Sequence, residues 1–249
     1  MIWALLLLAA FTGAWELYVE LSGVKPIVLP PPSDVARALV DERGLLWDNF
    51  TTTAIEVAGG IVLALVAGAA LAVAMHLSGR VRQALYPLLV ASQAVPIAVL
   101  APLLVVWLGF TILPKLAIIG IVCFFPIVVT TLDALRRTDQ DLLKLMRTLG
   151  ASRWQVLRWV ELPAALPASL SGAKLSVAVA VIAAVIAEDA GAEDGLGLLI
   201  TQATAQFDVA VSFAAVVVLA VFALALFFAL HLAERRIAPW AARPGGSTL

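Results

Sequence analysis

Few side chains in this sequence have the types and spacing that enzyme or metal chemistry requires. The two histidines, His76 and His231, and the single cysteine, Cys123, lie in three separate apolar stretches. A nucleophile needs a base within hydrogen-bonding reach, and a zinc site needs several Cys or His ligands at short spacing. The sequence therefore predicts no metal site and no internal disulfide, and an enzyme built on these residues is the least favoured interpretation.

The sequence also lacks the phosphate-binding loop with which many proteins hold ATP. No Gly-x-x-x-x-Gly-Lys-Ser/Thr motif occurs in the 249 residues, so we expect the chain to carry no cofactor and to bind no ATP through that motif. The net charge of −1 argues against a nucleic-acid partner. The sequence therefore offers no site of this kind for ATP hydrolysis.

Polar side chains inside apolar stretches are the remaining candidates, because a membrane makes them costly and they are functional by default. Gln93 is the best of these, beside Ser92 and shortly before Pro96. A proline removes a helix hydrogen bond and tends to kink the helix. Kinked helices shape pores and also occur in purely structural bundles, and the sequence leaves both interpretations open.

The composition indicates which elements must position these residues. The chain is 63% hydrophobic and 13% charged, with a mean hydropathy of +1.04, whereas soluble domains are roughly 45–50% apolar and about 25% charged. A helix needs roughly 20 apolar residues to cross a bilayer. The sequence thus predicts an all-α integral membrane protein with about six transmembrane helices, at residues 2–22, 57–78, 84–109, 112–132, 166–187 and 209–233.

The positions of the basic residues predict the orientation of these runs. Of the 16 Lys and Arg residues, 11 lie between runs two and three, between runs four and five, or after run six, and Arg243 is one of them. Basic residues near helix ends stay on the cytoplasmic side, so both termini are expected in the cytoplasm. The segment 188–208 is acidic without a basic residue and is expected outside. Four charged residues near the ends of runs are expected at the membrane interface: Glu56, Lys174, Glu188 and Asp189.

The connections leave no room for a soluble domain, so residues 1–249 are predicted to form a single transmembrane domain. The first run lacks a basic start, which favours a retained span over a signal peptide. The outer segment 23–56 contains a short amphipathic stretch from Ser33, a plausible N-cap, through Glu42. The sizeable cytoplasmic segment is 133–165.

The second run carries small residues at strict four-residue spacing, which lines them along one helix face and lets another helix approach closely. We predict that this face packs tightly against a neighbour, although Ala and Gly are frequent throughout the chain. The residues are Gly60, Ala64, Gly68 and Ala72.

The segment 133–165 predicts two short amphipathic helices. Apolar residues recur at three- and four-residue spacing before Gly150, a helix terminator. A second helix is expected to begin near Ser152 and to stop at Pro163. The apolar positions are Leu142, Leu145, Met146 and Leu149 in the first helix, and Trp154, Val156, Leu157 and Val160 in the second. Such faces need a partner or the membrane surface.

The spacing after Gly150 points to a family. Gly150 is followed by nine residues and then by Val160-Glu161-Leu162-Pro163. This pattern resembles the cytoplasmic loop of binding-protein-dependent ABC importer permeases, whose signature is Glu-Ala-Ala, three residues, Gly, nine residues, an aliphatic residue, any residue, Leu and Pro. At the Glu-Ala-Ala position this sequence has Lys144-Leu145-Met146, which reverses the charge and keeps an apolar part.

The neighbouring sequence narrows the resemblance, which covers roughly residues 50–235. The stretches 95–103, 147–155 and 162–167 are similar to the subfamily that handles nitrate, sulfonates, taurine and pyrimidine precursors of thiamine. Within that subfamily, Leu145-Met146-Arg147 and residues 160–163 look closest to the thiamine-precursor permeases.

The resemblance implies a type I ABC importer permease of the cell membrane rather than an enzyme. It implies a homodimer of permease subunits, two ATP-binding cassette ATPase subunits that grip residues 144–158, and an external solute-binding protein. It places Ser92, Gln93 and Pro96 beside the translocation path. It places at the ATPase contact Lys144, Leu145, Met146, Leu149, Gly150, Ala151, Trp154 and Leu157.

Two other interpretations compete with this one. A self-sufficient secondary transporter or channel is disfavoured because no repeat and no buried charge is evident in the sequence. The segment 133–165 could instead lie on anionic lipid, which its six basic residues would favour, but a lipid-bound hairpin has no need of a fixed Gly to Leu-Pro spacing.

Overall fold

The computed structural model describes residues 2–242, and in that range the chain consists of helices and their connections. Inside hydrocarbon the backbone has no water to bond, so a helix, which satisfies its own N–H and C=O groups, is the expected element. The predicted all-α class is confirmed. Arg243 lies outside the described residues.

Among the described residues 2–242, four helices are long and apolar enough to cross a membrane, and they match four of the predicted runs. They are α3 (Arg43–Leu77), α6 (Ile112–Arg136), the 39-residue helix Arg153–Gly191, and α11 (Val209–Ile237). The 39-residue helix comprises α8 (Arg153–Val156), a π turn (Leu157–Glu161) and α9 (Leu162–Gly191). Preceding them, α1 (Ile2–Ser22) coincides with the first predicted run.

The third predicted run is not one helix. It consists of α4 (Gly79–Ser92) and α5 (Ile97–Leu108), whose axes meet at 103°, and it is either a broken span or a re-entrant loop. The break lies at residues 93–96, because Pro96 has no N–H to donate and the residue before a proline avoids helical angles. The sequence predicted a kink here, and the structure has a full interruption.

Shorter helices fill the connections. They are α2 (Pro32–Asp41), α7 (Gln140–Thr148) and α10 (Leu196–Ala205). The expectation that Ser33 caps α2 is wrong, because α2 begins at Pro32 with Pro31 in the cap position. Ser33 instead ties α2 to α1, since its backbone N–H and its hydroxyl both donate to the Glu16 carboxylate, at 3.0 and 2.7 Å.

The bundle has two chemically different ends. At one end, which we call the basic end, α3, α6 and α11 finish, and the chain forms a hairpin of α7 and α8 joined by residues 149–152. We call this unit the hairpin. The opposite end, the acidic end, holds the connections before α6, α10 and α11. By the distribution of Lys and Arg, the basic end is the one predicted in the cytoplasm.

The core of the bundle forms where α3, α6 and α9 approach closely. Gly60 and Gly68 on α3 lie against Ile119 and Ile127 of α6, and a Cβ on Gly68 would come within 3.0 Å of the Ile127 side chain. Ala64 and Ala72, on the same face of α3, are buried. Gly172 of α9 meets the backbone of α6 in the same way. The four small residues of the second run therefore lie in the contact between α3 and α6.

Enlarging Gly60 should destabilise the bundle. A Cβ there would overlap the Ile119 side chain, so Gly60→Val should lower the free energy of unfolding by about 1–3 kcal/mol, as overpacking does. Thermal unfolding in detergent measures this change. The matched control is Gly13→Val in α1, where nothing lies within 4 Å of the added Cβ. Equal melting temperatures for the two variants would contradict the packing described here.

Candidate functional site

The turn of the hairpin is fixed by two capping motifs. Gly150 has φ +76° and ends α7 in a Schellman motif. In this motif Gly150 N–H donates to the carbonyl oxygen of Arg147, and Ala151 N–H donates to the carbonyl oxygen of Met146. Ser152 and Gln155 then form a capping box, with Gln155 N–H donating to the Ser152 hydroxyl and Ser152 N–H donating to the Gln155 side chain. Because both helix ends are satisfied locally, the turn presents one defined shape.

The hairpin exposes apolar side chains around this turn. Leu149 is 73% exposed, and Leu145 and Trp154 are more than half exposed. Met146 and Ala151 are half-buried beside them, and Gly150 is exposed at the tip. We call this surface, formed by these six residues, the hairpin face. Contiguous exposed apolar surface next to charged residues is typical of a docking site.

Leu157 does not belong to the hairpin face. Its side chain is fully buried and packs with Leu135 and Ala165 at the junction of α6 and α9. The prediction that Leu157 contacts the ATPase is therefore corrected, because no part of it is accessible to a partner. Val156 is buried as well, whereas Trp154 and Trp159 of the same arm are more than half exposed.

The charges around the hairpin face are mainly positive. Lys144 pairs with Asp141 at 2.8 Å on the exposed side of α7, and Arg147 is exposed. Arg158 lies over the ring of Trp159, with 5.6 Å from its guanidinium carbon to the ring centroid. A partner that covers this surface must accept an apolar face bordered by cations.

The three residues predicted beside the path lie together at the break between α4 and α5. Ser92 and Gln93 are exposed, with 3.4 Å between the Gln93 amide nitrogen and the Ser92 hydroxyl oxygen, and Pro96 is the first residue before α5. Ser92 also lines an apolar groove of about 550 Å³ between α3, α4 and α6. These residues are at a different place in the fold from the hairpin, so any communication between the two passes through the helices.

One polar cluster lies where the sequence analysis did not expect it. Glu188 was expected at the membrane interface, and it is fully buried near the acidic end. Its carboxylate accepts hydrogen bonds from the Thr53 hydroxyl at 2.6 Å and from Gly197 N–H at 2.5 Å. Thr53 accepts in turn from Leu196 N–H, and Asn49 accepts from Gly195 N–H. The cluster therefore fastens α9 and the start of α10 to α3.

Glu56 is also inside the bundle rather than at an interface, whereas Lys174 is half-buried near the basic end. Glu56 is 1% exposed and pairs with the buried Lys115 of α6 at 3.5 Å. Lys174 pairs with Glu234 of α11. Asp189 is exposed, as expected. The available sequence signal was an ionisable residue at the end of an apolar run. This signal locates the residue in the sequence but does not tell which helix its side chain faces.

The described residues 2–242 contain no group of three or more His, Cys, Asp or Glu side chains that could hold a metal ion. Cys123 is buried in the contact between α6 and α9, where its thiol lies 3.7 Å from the Ser176 carbonyl oxygen.

Comparison with known proteins identifies the class. Residues 60–241 match the model of the family described as binding-protein-dependent transport system inner membrane component. The chain belongs to this family. It is the permease subunit of an ABC importer, a multi-pass component of the inner membrane, and it is not itself an enzyme.

Individual relatives support the same assignment. The chain is 34% identical to the formylaminopyrimidine transport permease protein ThiX of Halalkalibacterium halodurans, over 91% of this chain and 90% of that protein. It is 36% identical to the riboflavin transport system permease protein RibX of Chloroflexus aurantiacus, over 96% and 88%. The fold is similar to that of a chain in an inward-facing structure of the MetNI methionine ABC transporter, with a TM-score of 0.66, 20% identity and coverage of 82% and 99%.

Proposed function

We propose that two copies of this permease form a homodimer, that each hairpin face docks on one of two ATPase subunits, and that an external binding protein delivers the solute at the acidic end. The observation that carries the docking proposal is the exposure of Leu145, Leu149 and Trp154 around a rigid turn. ATP is bound and hydrolysed on the ATPase subunits, so this chain works without a cofactor of its own.

The continuity of the 39-residue helix Arg153–Gly191 supports a mechanical coupling. At 1.5 Å per residue such a helix is about 58 Å long, so it runs from the hairpin to the opposite end of the bundle. Its far end carries Glu188, which holds α3 and α10. Closure of the ATPase subunits would displace the hairpin, and the helix would carry that displacement as a rigid body to the outer end.

We further propose that the solute is a pyrimidine precursor of thiamine. Support comes from the formylaminopyrimidine permease, with 34% identity over almost the full length of both chains, and from the similarity of residues 145–147 and 160–163 to thiamine-precursor permeases. Riboflavin, sulfonates and nitrate are the competing solutes. Selectivity in a binding-protein-dependent importer rests largely on the external protein, so the decisive observation concerns that protein's ligand.

Copurification tests both proposals. We expect the tagged permease, extracted in mild detergent, to bring down an ATPase subunit and an external binding protein, and mass spectrometry of the small molecule on that binding protein to detect a pyrimidine. Riboflavin, a sulfonate or nitrate on the binding protein would overturn the solute proposal and leave the assembly proposal intact. Import by the permease alone, in liposomes with an ion gradient and no ATPase, would overturn the assembly proposal.

A further inference from the structure

The second arm of the hairpin is fastened to the last turn of α3. Arg153, the first residue of α8, donates from its guanidinium to the backbone oxygen of Leu77 at 2.8 Å. The last four carbonyl groups of a helix have no partner within the helix, and they carry the negative end of its dipole. A guanidinium is therefore well matched to this position, and Arg153 closes the end of α3 from outside.

A second contact joins the same arm to His76, the residue before Leu77 in the last turn of α3. Glu161, the last residue of the π turn, lies with its Oε1 3.0 Å from Nε2 of His76. The Glu161 and His76 side chains are 10% and 16% exposed, so water competes with this contact only weakly. Leu157, between the two fastening points, belongs to a buried cluster with Leu135 and Ala165, and Val73 and Leu77 of α3 pack against this cluster. The arm thus holds α3 by two polar contacts with an apolar contact between them.

The π turn makes this double contact possible. Arg153 and Glu161 are eight residues apart, and in an α-helix such residues point about 80° apart around the axis. A π turn accommodates one extra residue. The eight-residue separation therefore covers about the same rotation as seven residues of an α-helix, which is close to two full turns. Both side chains then lie on the side that faces α3. The π turn Leu157–Glu161 is therefore what brings them to adjacent residues, His76 and Leu77.

The first arm of the hairpin has a different set of contacts. Within the described range 2–242, the side-chain hydrogen bonds and ion pairs of α7 and its cap stay among residues 138–148: Asp139 caps Asp141, Lys144 pairs with Asp141, and Thr148 bonds to Lys144. The polar fastening of the hairpin to a neighbouring helix therefore runs through its second arm.

The fastened turn leads directly to the break in the third run. Leu77 ends α3, and Ser78 caps α4 with its hydroxyl accepting from Val81 N–H. The next interruption of the chain is at residues 93–96, where Gln93 and Ser92 lie. A displacement of the hairpin that pulls on His76 and Leu77 would thus move the start of α4, and α4 would carry the movement to the break.

We propose that Arg153 and Glu161 are positioning residues that transmit movement of the hairpin to the junction of α3 and α4. This inference rests on the proposed docking of the hairpin on an ATPase, and it adds a second route beside the continuous helix that leads into α9. It requires no contact of either residue with the solute or with ATP.

The test uses the assembled transporter in proteoliposomes, with two separate readouts. A photo-crosslinker, p-benzoylphenylalanine, introduced at Leu149 reports whether the hairpin docks on the ATPase. The rate at which N-ethylmaleimide labels Gln93→Cys, with and without ATP and vanadate, reports whether the break between α4 and α5 responds. Protein without Gln93→Cys gives the background from the buried Cys123.

We expect Arg153→Ala and Glu161→Ala to keep the crosslink to the ATPase while the nucleotide-dependent ratio of labelling rates falls about tenfold, as loss of a charge-assisted hydrogen bond would give. Exchange of the pair, His76→Glu with Glu161→His, should restore the ratio. The matched control is Arg80→Ala, which removes the same charge from an exposed position at the start of α4 and should leave the ratio unchanged.

The remaining outcomes distinguish a failure of the transmission proposal from a failure of the docking proposal. The transmission proposal would be overturned if Arg153→Ala and Glu161→Ala left the ratio of labelling rates unchanged. It would also be overturned if the parent complex formed the crosslink but Gln93→Cys was labelled at the same rate with and without nucleotide. Absence of the crosslink in the otherwise unaltered protein would overturn the proposed docking instead. If Glu161→Ala fails to assemble because its contact is buried, Arg153→Ala decides the question, since Arg153 is exposed and its truncation leaves the core intact.

Discussion

Leu149→Asp should abolish import and solute-stimulated ATP hydrolysis while the amount of permease in the membrane stays unchanged. Leu149 is 73% exposed at the tip of the hairpin, so its replacement removes little packing within the chain. Docking would bury the new carboxylate in an apolar contact, which costs several kcal/mol unless a partner charge meets it. We expect affinity for the ATPase to fall at least about a hundredfold.

Three measurements on one preparation check this result: the permease content of the membrane, the ATPase that copurifies, and ATP hydrolysis with and without the loaded binding protein. Leu149→Met is the matched control, because it keeps an apolar side chain of similar volume and should behave like the parent. Normal uptake by a fully inserted Leu149→Asp variant would refute the assignment of the hairpin face to the ATPase contact.

A related variant tests the turn rather than the surface. Gly150 has φ +76°, which proline cannot adopt because its ring fixes φ near −65°. Gly150→Pro should therefore reorient the whole hairpin face and lose import for a different reason from Leu149→Asp. Gly150 is exposed and has nothing within 4 Å of an added Cβ, so we expect the substitution to leave the remainder of the bundle unaffected.

The hairpin could be predicted from sequence because its signals are local. A glycine terminator, the Ser152 cap and apolar residues at three- and four-residue spacing define two helices and the face that each presents. The same spacing places Leu157 beside Trp154, yet Leu157 faces α6 and α9. Periodicity tells which residues share a face, but it does not tell whether that face meets a partner or the chain's own bundle.

Proline positions predicted the site of the third-run break but not its size. Pro96 and Pro102 both lie in this run, yet the chain breaks at Pro96 and continues as helix through Pro102. Likewise Pro163 does not end the second arm. The π turn directly before it widens the backbone where the proline ring would meet the carbonyl four residues earlier. Tertiary packing decides between a kink, a break and a bulge, and a single sequence carries no signal for that choice.

The buried charges could not be predicted because their partners are distant in sequence. Thr53 and Glu188 are 135 residues apart in the sequence, and Glu56 of α3 pairs with Lys115 of α6. In the sequence Glu56 lies directly before the second run, 57–78, whereas α3 starts at Arg43 and places Glu56 in the middle of a helix. Charge inside the bundle therefore follows from the pairing of α3 with α6 and α9, which only the fold supplies.

Glu188→Ala should cause the largest loss of stability among single substitutions near the acidic end. It leaves Gly197 N–H without its acceptor in a fully buried place and the Thr53 hydroxyl with only its longer bond to the Asn49 carbonyl at 3.3 Å, and it opens a cavity. A buried donor without an acceptor costs about 1–3 kcal/mol and the cavity adds to this cost, so we expect a clear fall in the melting temperature of the detergent-solubilised permease. Loss of the joint between α9, α3 and α10 should also reduce import.

Asp189→Ala provides the matched control, since it removes the same charge from the next residue, which is exposed, and should change stability by less than about 0.5 kcal/mol. Glu188→Gln separates charge from shape, because its amide keeps one oxygen to accept from Thr53 or Gly197 but not both. Its stability should therefore lie between the parent and Glu188→Ala. Equal melting temperatures for Glu188→Ala and Asp189→Ala would show that the cluster does not hold the acidic end together, and the outer part of the rigid-body mechanism would then lack its anchor.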